Sequence, residues 1–415
     1  MKLLLSSLLC IALCIKAFSQ TPVSLKEYEN IFLKSNLILI AEQFNIDASK
    51  AAIIQAHLWE NPYFSADVNA VNPQDGKVFD VGRNGQKAFA VQQLIYLGGK
   101  KKKEVELARA NAALAEIAFK DVLRNLRFQL RTSFFEVYYS TISAASFEKQ
   151  LNNLDTLLQA YNAQAQKGNI PLKDVVRLQA LYLNLKNEQT QLLNTIAEEQ
   201  NNLRVFAASQ NELFPQPEAE ELTAYEKQLS LSMEDLQQQA VTNRADFLMA
   251  DRSIDAAKLN LEWQRSLAVP DITVGAMYDQ RSGAFNNQVN LTVGIPLRLW
   301  NRNQGNIKMA DIRINQASTE KQQLLYQLNG EVNAAFQKYM IAKSNYAMLN
   351  RTVSTNFDVV YNGVYQNFQR RNISLIEFTD FMESYNQSII QFNQIKKSLI
   401  LACEQINYAT GTTIF

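Results

Sequence analysis

Residues 89–119 read FAVQQLIYLGGKKKKEVELARANAALAEIAF, and the hydrophobic period changes within this stretch. Apolar residues alternate with others up to Ile95, which is typical of a β-strand with one apolar face. After Gly98 and Gly99, apolar residues recur at spacings of three and four, which is the pattern of a coiled-coil helix. The stretch therefore predicts a strand that leads through a glycine turn into a helix. The apolar seam of that helix consists of Val105, Ala108, Ala112, Ala115, Phe119, Val122 and Leu126.

The helix after this turn is expected to be very long. Neither proline nor glycine occurs from Lys100 to Lys167, and no proline follows Leu297. Because proline costs about 3 kcal/mol inside a helix, such stretches permit very long helices. A helix over residues 100–167 would be roughly 100 Å long at about 1.5 Å per residue. The later stretch has the same spacing at Val332, Ala335, Tyr339, Ala342, Tyr346, Leu349 and Val353.

Two regions, about 62–97 and about 270–297, break the helical period and alternate between apolar and small or polar residues. Each predicts a β-hairpin of two strands of about ten residues, a length that suits a tilted transmembrane strand. Alternation of this kind suits a transmembrane strand that has lipid on one face and water on the other. A water-soluble hairpin that packs one face on a core shows the same alternation, so the strands alone leave both interpretations open.

The chain contains an internal repeat. Residues 46–50, IDASK, recur as IDAAK at 254–258, and residues 169–172, NIPL, recur as NISL at 372–375. Repetition over such a distance indicates two similar structural halves.

The predicted organisation is a first repeat over 20–207, a linker or equatorial segment over 208–234 and a second repeat over 235–415. Each repeat runs helix, β-hairpin, long helix, helix-tip break and helix. The helix-tip breaks are expected at about 168–172 and about 371–375.

Residues 1–19 predict a signal peptide. Lys2 precedes an apolar run from Leu3 to Ile15, and a small-x-small cleavage site at 17–19 precedes Gln20. The leader cysteines follow leucines, so no lipid anchor is expected. One cysteine remains after cleavage, which leaves no pair for a disulfide. No later run of apolar residues is long enough for a membrane-spanning helix.

The composition excludes several classes of function. The chain has 41 basic and 40 acidic residues, a balance that excludes a polybasic nucleic-acid binder. A single histidine, His57, argues against a histidine-based metal site and a Ser-His-Asp triad. Residues 98–100, GGK, lack the Walker spacing, because Leu94 and Lys101 stand where that motif needs glycine and Ser or Thr. No enzymatic activity, cofactor, metal site or nucleic-acid partner is therefore expected.

Four strands in one chain cannot close a barrel, and their open edges would be exposed. Three copies supply twelve strands, enough for a transmembrane barrel, and their long helices form a hollow cylinder. The expected fold class is mainly α with a small transmembrane β part. It is a trimeric 12-stranded β-barrel, with four strands per chain, continued by a long α-helical coiled-coil barrel.

Two junction sequences carry a family resemblance. Residues 93–100, QLIYLGGK, and residues 295–305, IPLRLWNRNQG, resemble the two strand-to-helix junctions of the TolC-type outer-membrane efflux factor family. The combination of GGK and NRNQG is most similar to the CzcC-like heavy-metal efflux subgroup. The junction residues that the resemblance implies are Gly98, Gly99, Pro296, Asn301, Arg302 and Gly305.

Residues 365–385 resemble the periplasmic helix-tip motif of the same family. The glycine expected before Asn-Ile is present as Gly168 in the first repeat and replaced by Arg371 in the second. The residues implied for the helix-tip turns and for adaptor docking are Gly168, Asn169, Ile170, Leu172, Asn372, Ile373, Ser374 and Leu375.

By the same resemblance, Glu377 and Asp380 lie where the family narrows its periplasmic aperture. They are three residues apart on one helix face. Their first-repeat equivalents are Asp174 and Arg177, and Arg177 could pair with an acid of a neighbouring helix. In a threefold channel each acid becomes a ring of three, which selects cations and holds an aperture shut. The simpler alternative is that these residues only cap the helices or face solvent.

The resemblance implies an outer-membrane channel that extends into the periplasm as part of a tripartite efflux system. A homotrimer in outer-membrane lipid would receive substrate from an inner-membrane RND-type transporter through a periplasmic adaptor, and would conduct it passively. Heavy-metal cations are the expected substrates. Efflux of drugs or organic compounds and type I secretion are alternatives for the same channel. The alternative from another class is a secreted or periplasmic coiled-coil structural protein.

Overall fold

The computed structural model describes residues 21–73, 76–83, 85–210, 212–281, 284–352 and 357–415, so the predicted signal peptide lies outside the described residues. The elements in chain order are β1 (Thr21–Val23), α1 (Leu25–Ser35), α2 (Leu37–His57), β2 (Tyr63–Val68), β3 (Val71–Asn72), β4 (Lys77–Val78), β5 (Lys87–Ile95), α3 (Lys100–Gln166), α4 (Leu172–Ala207), β6 (Leu213–Pro215), α5 (Ala219–Ala224), α6 (Met233–Asn243), α7 (Ala245–Leu267), β7 (Ile272–Arg281), β8 (Phe285–Gly294), α8 (Gln304–Thr352), α9 (Phe357–Gln369) and α10 (Leu375–Thr410).

The long helices form where the sequence permits them. Helix α3 has 67 residues and ends within one residue of the predicted range. Helix α8 has 49 residues, and the last residue of its predicted seam, Val353, lies outside the described residues. None of the helices in the described part of the chain has both the length and the apolar composition needed to cross a membrane.

The chain divides into two compact units. The helical unit comprises the chain up to Ala41 together with Lys120–Arg244 and Tyr326–Phe415. The hairpin unit comprises Glu42–Phe119 and Ala245–Leu325. Each unit contains segments from both sequence repeats, so the two units do not coincide with the two repeats.

In the helical unit, α10 packs against α4, α6 and α9, and α1 packs against α4. The side chain of Arg131 of α3 is only 13% exposed there and donates to Glu29 of α1 at 2.6 Å and to Glu404 of α10 at 2.8 Å. The hydroxyl of Tyr225 donates to the same Glu404 oxygen. Burial alone would lower the pKa of the Arg131 guanidinium, but the two carboxylates outweigh burial and raise it. One cation therefore ties three helices together.

In the hairpin unit, four antiparallel strands form one sheet in the order β2-β5-β7-β8. The central contact is β5 with β7, which pairs the last strand of the first hairpin with the first strand of the second. Nine residue pairs, from Lys87 with Gln280 to Ile95 with Ile272, form this contact. Both predicted hairpins are thus present, and they join edge to edge.

The register collects most of the apolar residues of the four strands on one face, with Tyr63, Leu94 and Met277 on the other. Directly paired residues share a face. On the apolar face Phe64 pairs with Val91, Phe89 pairs with Tyr278, and Tyr278 pairs in turn with Val289. The opposite face carries small and polar residues. The residues on the apolar face include Phe64, Ala66, Val68, Phe89, Val91, Val274, Ala276, Tyr278, Val289, Leu291 and Val293, and those on the polar face include Ser65, Asp67, Ala90, Gln92, Gly275, Asp279, Asn290 and Thr292.

The first hairpin differs from the prediction in one strand. Strand β2 has six residues where about ten were expected, whereas β5, β7 and β8 have nine or ten. The chain beyond Val68 turns away, and β3 pairs with β4 in a separate small ladder. Pro73, next to β3, has no backbone N–H for a sheet ladder, which favours this early departure from the main sheet.

Candidate functional site

The first helix-tip turn lies between α3 and α4. Gly168 has a left-handed φ of +76°, and its N–H donates to Ala165 O at 2.9 Å. The N–H of Asn169 donates to Gln164 O at 2.9 Å. These two bonds form a Schellman motif, which satisfies the last carbonyls of a helix and favours glycine at the left-handed position. The predicted glycine therefore has a conformational role.

The second helix-tip turn, between α9 and α10, repeats this geometry without glycine. Arg371 has a φ of +60°, and its N–H donates to Phe368 O at 2.9 Å. The N–H of Asn372 donates to Asn367 O at 2.9 Å, as the equivalent asparagine does in the first turn. A residue with a Cβ is strained in this conformation. The substitution of arginine for glycine thus preserves the turn and adds strain to it.

The side chains of the two turns also correspond. Asn169 donates to the side-chain oxygen of Gln164 at 2.7 Å, and Asn372 donates to that of Asn367 at 3.0 Å. The helices that follow are capped differently. Ser374 and Glu377 form a reciprocal capping box at the start of α10, whereas Pro171 precedes α4 without a side-chain cap.

Glu377 therefore has a structural task in addition to its predicted role in the gate. Its carboxylate accepts from Ser374 N at 2.7 Å, and its own N–H donates to Ser374 Oγ at 3.2 Å. The backbone hydrogen bond and then the hydroxyl of Ser374 lower the pKa of this carboxyl, so that it is anionic at neutral pH.

The other predicted gate residues are less constrained. Asp380 and Arg177 are exposed, and neither forms an ion pair with a described residue of the chain. Asp174 is half-buried near Tyr161. Burial raises the pKa of the Tyr161 phenol, with a further increase from Asp174 and an opposite effect of Arg371. A charged residue from each tip, Asp174 and Arg371, therefore acts electrostatically on the same tyrosine.

An aromatic core holds the two tips together, and the sequence reasoning missed it. Phe368 stacks on Phe378 with ring centroids 4.2 Å apart, and Tyr161 stacks on Phe368 at 6.2 Å. The side chains of Ile373 and Leu375 pack against this core, whereas Leu172 is 71% exposed. The available signal was the three-and-four spacing of aromatic residues before and after the second turn. These residues are Phe357, Tyr361, Tyr365, Phe368, Phe378, Phe381 and Tyr385.

The first strand-to-helix junction depends on two consecutive left-handed glycines. Gly98 and Gly99 have φ values of +69° and +71°. A Cβ on Gly98 would lie 2.8 Å from a methyl group of Val269, so both the backbone and the packing require glycine there. Asp271 accepts from Leu97 N at 3.0 Å and from the buried Lys100 Nζ at 2.5 Å. The first residue of α3 is thereby fixed to the start of β7.

The second junction uses asparagine in place of glycine. Asn303 has a φ of +61°, and its side chain donates to Gln264 O at 2.8 Å. Asn301 Oδ1 accepts from Asn303 N at 3.0 Å and shapes the turn. Gly305 lies in the first turn of α8 without a left-handed φ, so the left-handed position belongs to Asn303.

Two arginines at the second junction differ in their contacts. The guanidinium of Arg298 donates to the carbonyls of Leu267 and Val269 and holds the loop after Pro296 against the end of α7. The guanidinium of Arg302 is exposed and has no hydrogen bond to a described residue.

No group of residues in the described part of the chain has the composition of a metal site. Cys403 is buried, and burial raises the pKa of its thiol to about 12, which keeps it protonated and unreactive. The candidate functional residues are those of the helix tips and, separately, those of the strand-to-helix junctions, whose charged side chains are suited to electrostatic contacts.

Comparisons with known proteins agree with this description. The model of the family named outer membrane efflux protein matches residues 236–411. The cobalt-zinc-cadmium resistance protein CzcC of Cupriavidus metallidurans is 21% identical over 372 residues, which are 89% of this chain and 86% of that protein. A solved membrane protein from Pseudomonas aeruginosa has a TM-score of 0.74 at 15% identity, with 95% of this chain and 92% of that chain covered. The solved structure of CusC has a TM-score of 0.72 at 16% identity, with 94% and 92% covered.

The resemblance seen in the junction and tip motifs is thereby confirmed, since residues 236–411 match the model of the outer membrane efflux protein family and most of the chain is similar to CzcC and CusC. Members of this family are channels of the outer membrane and not enzymes. The predicted location and the prediction that the protein is not an enzyme are confirmed with it.

The left-handed arginine of the second tip generates a stability prediction. Arg371→Gly should raise the free energy of unfolding by about 0.5–1 kcal/mol, because glycine adopts this φ without a Cβ clash. The matched control is Arg370→Gly, whose N–H bonds to Gln366 O at 3.1 Å in a helical conformation. That control should lower stability by about 0.5–1 kcal/mol. Urea unfolding of the detergent-solubilised protein measures both, and equal losses would contradict the assignment of strain to Arg371.

Proposed function

We propose that three copies of this protein form the outer-membrane channel of a tripartite efflux system. The observation that carries the proposal is the sheet of the hairpin unit. Most of its apolar residues share one face, and its outer strands, β2 and β8, have no further strand beside them within the described part of the chain.

Open sheet edges require a partner, and a second copy supplies one. Pairing of β8 with β2 of the next copy would close twelve strands in three copies into a barrel. The apolar face, where Leu291 is 86% exposed, would then face lipid, and the face with Asp67 and Asn290 would face water.

The helix tips are proposed as the periplasmic gate. Asp380 is free to contribute to an acidic ring, and Arg177 is free to pair with an acid of a neighbouring copy. Glu377 contributes its charge to the same ring while it caps α10. Exposed apolar residues of the tips, such as Leu172, would dock the periplasmic adaptor.

Conduction is proposed to be passive. An inner-membrane RND-type pump would deliver substrate through the adaptor to the tips, and opening of the tips would admit it to the channel. The role of this chain is then to provide a gated path across the outer membrane.

Heavy-metal cations are the proposed substrates. The proposal is supported by the NRNQG junction and by the similarity to CzcC, which is named as a cobalt-zinc-cadmium resistance protein. Because the chain has one histidine, metal selectivity is assigned to the pump.

The substrate class can be tested in the source bacterium. Deletion of this chain should lower the tolerated concentrations of cobalt, zinc and cadmium salts, and the intact chain supplied in trans should restore them. Tolerance to dyes and antibiotics should not change. The reverse pattern would assign the same channel to organic compounds, and no change in either would point to secretion.

The lipid-facing wall can be tested by charge placement. Leu291→Arg should cost about 2–4 kcal/mol at the bilayer midplane and reduce assembly, because it places a cation on the apolar face. Thr292→Arg, one residue further and on the opposite face, should assemble and alter conductance. The measurement is the amount of heat-modifiable trimer in outer-membrane fractions. Equal effects of the two variants would indicate that neither face contacts lipid.

The gate can be tested without disturbing the helix cap. In the double variant Glu377→Gln with Asp380→Asn, glutamine can still serve the capping box, so the negative charges are removed while the cap remains. Single-channel recording in a planar bilayer should show reduced cation selectivity and weaker block by multivalent cations from the periplasmic side. Glu148→Gln with Asp155→Asn, two exposed acids of α3, is the control and should behave as wild type. Wild-type selectivity and block in the tip variant would place the constriction elsewhere.

A further inference from the structure

A cleft of about 350 Å³ lies beside the first junction, entirely within the hairpin unit. It is formed by Trp59, which follows α2, and by the first turns of α3. Trp59 is 56% exposed and packs on Tyr96, with ring centroids 5.8 Å apart. The Lys101 ammonium lies 5.6 Å from the centroid of the Tyr96 ring. We call this site the junction cleft, and the proposed channel function gives it no role.

Two cations of the junction cleft are available for a ligand. Lys102 and Arg109 are seven residues apart and therefore lie on the same side of α3. The Lys102 side chain is 83% exposed, and its nearest carboxylate, Glu106, is 3.9 Å away. Arg109 is exposed and forms no ion pair with any residue that the structure describes.

Other charges near the cleft have closer partners, whereas Glu106, which lines the cleft, has only the 3.9 Å contact with Lys102. Lys101 pairs with Glu104 at 2.8 Å, and Glu60 accepts from the Tyr96 hydroxyl at 3.1 Å. The junction cleft thus combines an aromatic wall with two cations whose interactions are weak or absent. An amphiphile with an anionic head fits this arrangement, since lysine and arginine place their charges in the polar layer and their stems along apolar surface.

The position of the cleft in the fold indicates which amphiphile it meets. Strand β5, which carries the apolar face, ends at Ile95, one residue before Tyr96. Tryptophan and tyrosine concentrate where a membrane protein passes from hydrocarbon to headgroups. Basic residues immediately beyond that level attract anionic lipids.

We propose that the junction cleft binds the headgroup phosphate of an anionic phospholipid in the periplasmic leaflet of the outer membrane. Lys102 and Arg109 pair with the phosphate, and Trp59 lies at the level of the ester groups. The site rests on the proposed function, because it requires the hairpin unit to lie in a bilayer.

Fluorescence quenching by brominated lipids tests the site. The chain has three tryptophans, and Trp263→Phe with Trp300→Phe leaves Trp59 as the sole fluorophore. The full-length protein with these two changes is reconstituted in phosphatidylcholine vesicles that contain either brominated phosphatidylglycerol or brominated phosphatidylcholine. Quenching of Trp59 fluorescence should indicate about a fivefold preference for phosphatidylglycerol over phosphatidylcholine.

The charge variants identify the residues. Lys102→Gln with Arg109→Gln should abolish the preference for phosphatidylglycerol, because these two cations supply the attraction. The matched control is Lys308→Gln with Arg313→Gln, which removes two exposed cations from the first turns of α8 and should keep the preference. Channel conductance should be unchanged in both, which verifies that both variants assemble.

The outcomes separate the site from the channel. Equal quenching by the two lipids, or a preference that persists in the Lys102 and Arg109 variant, overturns the lipid site while the channel function stands. Loss of the preference on addition of inorganic phosphate at constant ionic strength would show that the cleft takes free phosphate, and this also overturns the lipid site. Absence of quenching by either lipid would contradict the proposed membrane channel itself.

Discussion

The antiparallel contact of β5 with β7 is the interaction on which the hairpin unit depends. It joins strands that are more than 170 residues apart in the chain, and its register places Phe89 beside Tyr278. A shift of one residue would move every side chain to the opposite face. The observed register instead continues one apolar face across four strands. Asp271, which binds both Leu97 N and Lys100, fixes the end of this contact and the start of α3 together.

The two repeats reach similar turns with different residues. Gly168 and Arg371 occupy the same left-handed position, and the hydrogen bonds around them correspond one to one. At the junctions, Gly98 and Gly99 in one repeat correspond in role to Asn303 in the other. A turn is therefore retained when its backbone hydrogen bonds are retained, even where its residue carries a Cβ. The added strain lies at one of the tips that are proposed to form the gate.

Two groups of charged residues bear on the functional proposals. The side chains of Lys100 and Arg131 are only 5% and 13% exposed and are bound to carboxylates, so that their loss would leave carboxylates with little solvent unpaired. Asp380, Arg177 and Arg109 are exposed and have no ion pair among the described residues of their own chain. The first group maintains the fold. The second group is available for contacts outside the chain, at the tips and at the junction cleft.

Local patterns in the sequence were sufficient to predict the elements, because helix and strand periods are properties of neighbouring residues. The 67-residue helix and both hairpins follow from such patterns. The tertiary structure decided what separate segments do together. It paired β5 with β7, shortened β2 and gathered the tip aromatics around Phe368. These features depend on contacts between residues far apart in the chain, and a local period carries no information about which distant segment will be the partner.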